Sequence, residues 1–317
     1  MSAGPQIEHR EEADRTGSNE VWPHVTVIVP VHGDRGELRR TTLALAGQDY
    51  PGVLDVVVVD NGDNTDLEGS AAVLPSVQLL SEARPGSYAA RNAALAAAGG
   101  EVLAFTDGDC LPDPGWLRAG VGALLSTPEP CFVGGAVHLF AQDPERPSLA
   151  EMWDSLNFLR QEAYVREQGW AATANMMTLR STFDRVGPFE DRLRSGGDRE
   201  WGERASRQGV RAVYCPAAVV RHPARARMAE LHTKARRVSR GDVETRRRQG
   251  MPMFDPGVVR ASLNPSPRST VRRSADLSHP SPGNRARYVA VALWMRYYTF
   301  GSKLAYVVRT RGTSRQP

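Results

Sequence analysis

The stretch that most constrains this chain is Val102-Leu103-Ala104-Phe105, an apolar run that passes straight into Thr106-Asp107-Gly108-Asp109-Cys110. Four consecutive apolar residues ahead of turn chemistry read as a strand buried on both faces, so Asp107 and Asp109 emerge together at its carboxyl end. Open α/β sheets bind their ligands at that edge. Two aspartates one residue apart can hold a hard divalent cation, and a cation placed there bridges the oxygens of a diphosphate. The ordinary alternative is an exposed Asp-Gly-Asp turn.

Two further runs repeat the pattern. Residues 25–31 are β-prone throughout and stop at His32-Gly33-Asp34, while residues 54–59 are largely apolar and end in Asp60-Asn61-Gly62-Asp63. Helix-like segments lie at 37–46 and, after a Pro85-Gly86 turn, at 88–98, where Gly99-Gly100 closes the helix. Such alternation predicts an α/β fold, a Rossmann-like, mostly parallel sheet with helices on both faces. Beyond Asp109 the texture is mixed, with helices expected at 117–125, 149–168 and 199–208 and strands at 131–140, 212–214 and 217–220.

The net charge of +4 hides an asymmetry. Residues 1–222 carry 20 Lys+Arg against 31 Asp+Glu, whereas residues 223–317 carry 20 against 5. A basic tail on an acidic body implies an anionic partner, whether lipid headgroups, nucleic acid or the body itself. The tail reads as a basic helix at 224–248, a Pro/Ser/Arg-rich linker at 251–284 and an amphipathic helix at 288–308. Arg296 and Lys303 would each cost about 2.5–3.5 kcal/mol near a bilayer centre, so the last helix lies in a membrane interface or docks on the protein rather than spanning. Residues 224–285 lack the interleaved aromatics of a nucleic-acid binder, which makes an anionic membrane surface the expected partner of 224–308. Residues 1–23 have no apolar core of the secretory kind and read as a disordered leader. Three cysteines at wide, non-metal spacing fit a reducing cytoplasm, with the protein peripheral on the inner face of the membrane.

Taken together, several segments resemble the family 2 glycosyltransferases of the GT-A fold. Residues 25–31 are similar to that family's opening strand, and Asp60 falls at its second strand end. Pro85-Gly86-Ser87-Tyr88-Ala89-Ala90-Arg91-Asn92 resembles its Gly-x-x-x-Ala-Arg-Asn segment, and Asp107-Gly108-Asp109 its metal-binding Asp-x-Asp. Asn175, Phe183, Val186-Gly187, Phe189 and Gly197-Asp198 follow in the order of its acceptor-side signature. The resemblance covers residues 24–222, as a nucleotide-binding half at 24–110 and an acceptor-side half at 111–222.

The resemblance implies a metal-dependent inverting transfer from a nucleoside diphosphate sugar, a UDP-sugar first, to an acceptor hydroxyl in glycan, glycolipid or natural-product biosynthesis. By the same resemblance Pro30 and Val31 line the base and ribose pocket, Asp60 hydrogen-bonds the nucleoside and Arg91 meets the diphosphate. Asp109 would bind Mg²⁺ or Mn²⁺ directly, with Asp107 reaching the ribose or the ion through water and His222 near the metal. Asp198 aligns with the catalytic base, Glu200 is the alternative base, and Gly197 stands where the family's usual pattern has glutamate. The ordinary role for Asp198 would be a helix cap. Trp153, Trp170 and Trp201 are open between sugar stacking and core filling. The chain has no Gln-x-x-Arg-Trp and no multi-helix channel, which points to non-processive transfer. Two other readings are a sugar nucleotidyltransferase, whose Gly-rich loop 31–36 imitates poorly, and a non-catalytic, basic-tailed membrane-binding relative.

Overall fold

A computed structural model describes residues 21–33, 35–62, 67–74, 76–248, 250–254, 257, 259–260 and 267–312. The expected leader lies outside that set except for its last three residues. Among those, Trp22 packs edge-on against Tyr50 at 5.5 Å between ring centroids.

The three apolar runs are strands, as their composition demands. β1 (Val25–Val31), β2 (Leu54–Asp60), β3 (Val77–Ser81) and β4 (Val102–Thr106) pair in parallel in the order β3-β2-β1-β4. The crossovers carry α1 (Arg35–Ala46), α2 (Leu67–Ala71) and α3 (Ser87–Leu95). Both faces of the sheet are covered. Val27, Val29, Val56 and Val58 face one core with Leu38 and Trp116, while Ile28, Val57 and Phe105 face another with Phe183 and Trp201. Burial of each such side chain contributes roughly 1.5–3 kcal/mol, so strands of this composition are stable only when sandwiched.

The second half of the sheet is mixed rather than parallel. β7 (Asn175–Leu179) runs antiparallel between β4 and β6 (Cys131–Phe140), and β8 (Arg211–Pro223) lies parallel to β6, with the two-residue β5 (Leu111–Pro112) at the edge. The two short strands expected at 212–214 and 217–220 are thus one strand with an interruption. Its register jumps from Cys215 to Val219 opposite consecutive residues of β6. The Asn175 amide closes the bulge by donating to the carbonyls of Ala136 and Ala218, both at 2.8 Å, which satisfies backbone oxygens the ladder has abandoned.

The helices α4 (Trp116–Leu125) and α8 (Gly197–Arg207) follow expectation, while α7 (Arg180–Val186) is not among the helices expected from the sequence. The long helix expected at 149–168 is broken into α5 (Leu149–Asn157) and α6 (Gln161–Gln168). Leu159 turns the chain at φ 47° and buries its side chain, while the Gln161 amide bonds the backbone of Ala172 and Asn175 and fixes where α6 starts. Periodicity is blind to such a break because the apolar pattern continues through it.

The tail folds onto the body. α9 (Met228–Arg248) is followed, within the linker expected at 251–284, by α10 (Pro267–Arg273) and a 3₁₀ turn at Ser274–Asp276. Residues 255–256, 258 and 261–266 of that linker lie outside the described set. The last helix, α11 (Pro282–Gly312), overruns the expected 288–308 at both ends. It runs parallel to α9: Ser239 donates to the Thr299 carbonyl, Lys303 pairs with Asp242, and Tyr306 donates to Glu244 at 2.9 Å. Tyr288, Val291, Met295 and Val307 are buried by this docking. No described helix is long and apolar enough to cross a membrane.

Candidate active site

The carboxyl edge of the parallel strands gathers the residues that the sequence marked. Val31 and Asp60 are register partners, and the Asn61 amide donates to the Val31 carbonyl at 2.9 Å. Asp60 is buried and accepts from the Gly62 amide at 2.9 Å. The Asn61 side chain bridges to the Glu82 and Arg84 carbonyls and to the Gly86 amide, tying the end of β2 to the turn that starts α3. Gly108 lies so close to β1 that a Cβ there would meet Val31 Cγ2 at 3.1 Å, and its carbonyl accepts from Thr41 at 2.9 Å. The glycine between the aspartates therefore lets their turn close over Pro30 and Val31.

One donor atom each from Asp107, Asp109, Cys110 and His222 lies within 4.8 Å of the others. His222 reaches this point from the end of β8, with Nε2 at 3.7 Å from Asp109 Oδ1. Its Nδ1 lies 2.7 Å from the Pro223 carbonyl, which can only accept, so Nδ1 carries the proton and Nε2 offers a lone pair to the cluster. Ligands around a six-coordinate Mg²⁺ or Mn²⁺ lie about 3–4 Å from one another, so two carboxylates and this nitrogen fit such an ion. Burial, then the neighbouring Asp109 and Asp107, pushes the Cys110 thiol well above its ordinary range, and a soft sulfur is a poorer match than oxygen for a hard divalent cation.

Arg91 is 2% exposed and pairs with Asp107 Oδ1 from below. Its Nε has no partner among the described residues. The Arg91 charge lies beside the carboxylate pair, where a guanidinium can meet a phosphate oxygen.

Asp198 stands at the start of α8, but it is not the cap: the N-cap is Gly196, at φ 82°, and Asp198 lies in the first turn. Its Oδ1 accepts from the Tyr88 hydroxyl at 3.0 Å and from the Arg199 amide at 2.9 Å. Enclosure raises the pKa of this carboxyl, against the opposing pull of those two hydrogen bonds and of the Arg91 charge, while Asp107 adds a small push upward. It keeps a partly exposed surface toward a cleft of about 430 Å³ that Arg91 and Asp107 also line. Glu200 lines the same cleft, but both of its oxygens bind Arg204, at 3.0 and 3.1 Å.

A family model described as Glycosyl transferase family 2 matches residues 26–187, just over half of the chain. The chain belongs to that family. Its relatives include the glycosyltransferase AglE of Haloferax volcanii, 32% identical over 228 residues, with 70% of this chain and 74% of the relative covered. A pre-mycofactocin glycosyltransferase of Mycobacterium tuberculosis is 28% identical over 212 residues, which span 65% of this chain and 44% of that protein. Among solved structures, the mannosyltransferase PcManGT from Pyrobaculum calidifontis, in complex with GDP-Man and Mn²⁺, superposes with a TM-score of 0.60 at 21% identity, covering 90% of this chain and 87% of its own. GalNAc-T7 with UDP, GalNAc and Mn²⁺ gives 0.52 at 16% identity, covering 75% and 53%. At such identities the likeness establishes the fold, which is GT-A.

Within this family 2 glycosyltransferase several residues of the cleft carry no mark in the sequence. Tyr88, the partner of Asp198, sits inside the Gly86–Asn92 segment without a role of its own there. The far wall of the cleft is aromatic, with Trp153, Phe158 and a Tyr164–Trp170 stack at 4.1 Å between centroids. Trp201 instead fills the core, fully buried against Phe132 and Phe183 with its indole N–H on the Gly187 carbonyl. Behind Phe158, Asp154 is fully buried and holds Arg225 at 2.9 Å and Lys234 of α9 at 3.4 Å. Burial, and then Arg225, lowers the pKa of Lys234 well below the ordinary lysine range, against the pull of Asp154. Only long-range folding brings these residues together, and periodicity does not record it.

Proposed function

We propose that this glycosyltransferase is a metal-dependent, inverting and non-processive enzyme that moves a sugar from a nucleoside diphosphate donor, a UDP-sugar first, to an acceptor hydroxyl. What carries the reading is that a single cleft contains both ends of an in-line displacement: Arg91 and Asp107 at the diphosphate end, Asp198 at the acceptor end. Pro30 and Val31 form the wall for the base and ribose, with Asp60 accepting from the nucleoside. Asp109, His222 and Asp107 are the residues that would hold Mn²⁺ or Mg²⁺, and the nitrogen ligand favours Mn²⁺. When bound, such an ion supplies positive charge for the departing diphosphate.

Asp198 takes the acceptor proton as the hydroxyl oxygen bonds the anomeric carbon and the donor's oxygen leaves with the diphosphate. A raised pKa makes this carboxylate a stronger base than a solvated aspartate. Tyr88 orients it. Glu200, with both oxygens on Arg204, serves the architecture of α8 rather than the proton. The aromatic wall suits an acceptor with an apolar or sugar face. Three free, buried cysteines fit a reducing compartment, and we place the enzyme in the cytoplasm. Family membership speaks against the nucleotidyltransferase reading.

The test is thermal-shift titration with UDP, GDP and dTDP, each in Mn²⁺, Mg²⁺ or EDTA, on the wild type and Asp109→Ala. A ligand that binds only the native state raises the melting temperature with its affinity. The expected result is stabilisation by UDP that requires metal and disappears in Asp109→Ala. Absence of any response to nucleotide would overturn the reading and leave a non-catalytic relative.

A further inference from the structure

The outer face of α11 stays largely uncovered after the helix has docked, with the indole N–H of Trp294 at its edge donating to His232 Nε2 of α9 at 3.0 Å. Trp294, Tyr297, Leu304 and Val308 are 56%, 51%, 45% and 62% exposed, and their spacing of three, seven and four residues puts them on one side of the helix. Exposed Ala290, Gly301 and Ala305 fill the intervals, so nothing polar interrupts the stripe. At 1.5 Å per residue, the stripe is roughly 20 Å long. Other large exposed apolar side chains among the described residues, such as Leu43, Val53 and Leu125, are scattered along the chain.

The charge around this stripe has one sign. Residues 282–312 contain no aspartate or glutamate, while Arg285, Arg287, Arg296, Lys303, Arg309 and Arg311 are cationic. Arg287 is exposed near one end of the stripe and Arg309 next to Val308 at the other. The acidic residues of neighbouring α9 are already engaged: Glu230 with Arg227, Asp242 with Arg246 and Lys303, Glu244 with Arg240. Arg236 and Arg237 of α9 are also exposed.

We propose that this face of α11 is a peripheral membrane contact, with Trp294, Tyr297, Leu304 and Val308 entering the interface of a bilayer and the arginines meeting anionic lipid headgroups. Trp and Tyr favour the headgroup level, and basic side chains add electrostatic attraction to an anionic leaflet. A second copy of the chain is a poor occupant. Two such helices packed face to face set cations against cations with no carboxylate on either to compensate.

Vesicle flotation of the full chain tests this, using phosphatidylcholine alone and phosphatidylcholine with about one third phosphatidylserine. The wild type is expected to float with the anionic vesicles and to be released by high salt. The pair Leu304→Ser with Val308→Ser, and separately Trp294→Ser, should weaken flotation roughly ten-fold while nucleotide-induced stabilisation stays at its wild-type value, which reports an intact fold. The exposed control Leu43→Ser should float as the wild type does. Equal flotation of the stripe variants, or equal flotation with neutral vesicles, overturns the proposal. So does a light-scattering mass of two chains that the stripe variants reduce to one, which would assign the face to self-association.

Discussion

The ring of Tyr88 occupies the space that a side chain at Gly197 would need: a Cβ on Gly197 would lie 2.8 Å from two carbons of the ring. The same tyrosine donates its hydroxyl to Asp198, the next residue. An aromatic ring on α3 therefore fills the space that the glycine leaves at the start of α8. Gly197→Ala should destabilise by about 1–3 kcal/mol through overpacking. Combining it with Tyr88→Leu should recover part of that loss, a coupling measurable by denaturant unfolding of the four members of a double-mutant cycle.

Tyr88→Phe keeps the ring and removes the hydrogen bond. That bond favours the charged form of Asp198, so its loss raises the Asp198 pKa further and moves the acid limb of kcat/KM to higher pH. Near neutrality kcat/KM should fall roughly ten-fold, in line with a lost hydrogen bond to a charged group. A pH profile identical to that of the wild type would show that Tyr88 only packs.

Asp198→Asn should lower kcat by roughly 10²–10⁴ with nucleotide binding retained. The same variant should melt higher than the wild type near neutral pH. The folded pKa of Asp198 is raised, so its contribution to stability is present in full below the unfolded pKa and is lost as pH rises through the folded value. Asparagine has no such loss. The gap between the two melting curves should close as the solution is acidified, which differential scanning calorimetry across pH would follow.

Glu200→Gln should retain kcat within about ten-fold, since a base whose two oxygens are held by Arg204 is not the one in use. Arg204 also donates to the carbonyls of Val186 and Pro188, so weakening its carboxylate partner should lower the melting temperature. A loss of kcat as deep as that of Asp198→Asn would exchange the roles of the two residues.

The parallel half of the sheet was legible because strands sandwiched between helices must be apolar on both faces, and the runs at Val27, Val57 and Leu103 say so directly. Asp107 and Asp109 were legible for the same reason, as carboxylates that end such a run. The mixed half was harder to read. One asparagine, Asn175, holds the bulge that makes a single strand of two, and Leu159 breaks a helix at a point where its apolar pattern persists. Tyr88 and Gly197 sit 109 residues apart and make sense only as a pair. Lys234 and Asp154 are similarly remote, and a charge compensated across the fold leaves no periodic trace.

Asp154 also determines how much of the chain is needed to make a stable protein. Its carboxylate has no exposure, and both cations beside it come from beyond His222. A chain cut after β8 would lose Arg225 and Lys234 together with α9 and α11, which cover Ala150 on the same helix, so α5 would be left with an unpaired carboxylate and a bared apolar face. Shortened versions of this enzyme meant for crystals or assays are therefore expected to need the helices beyond residue 223 to stay folded and soluble.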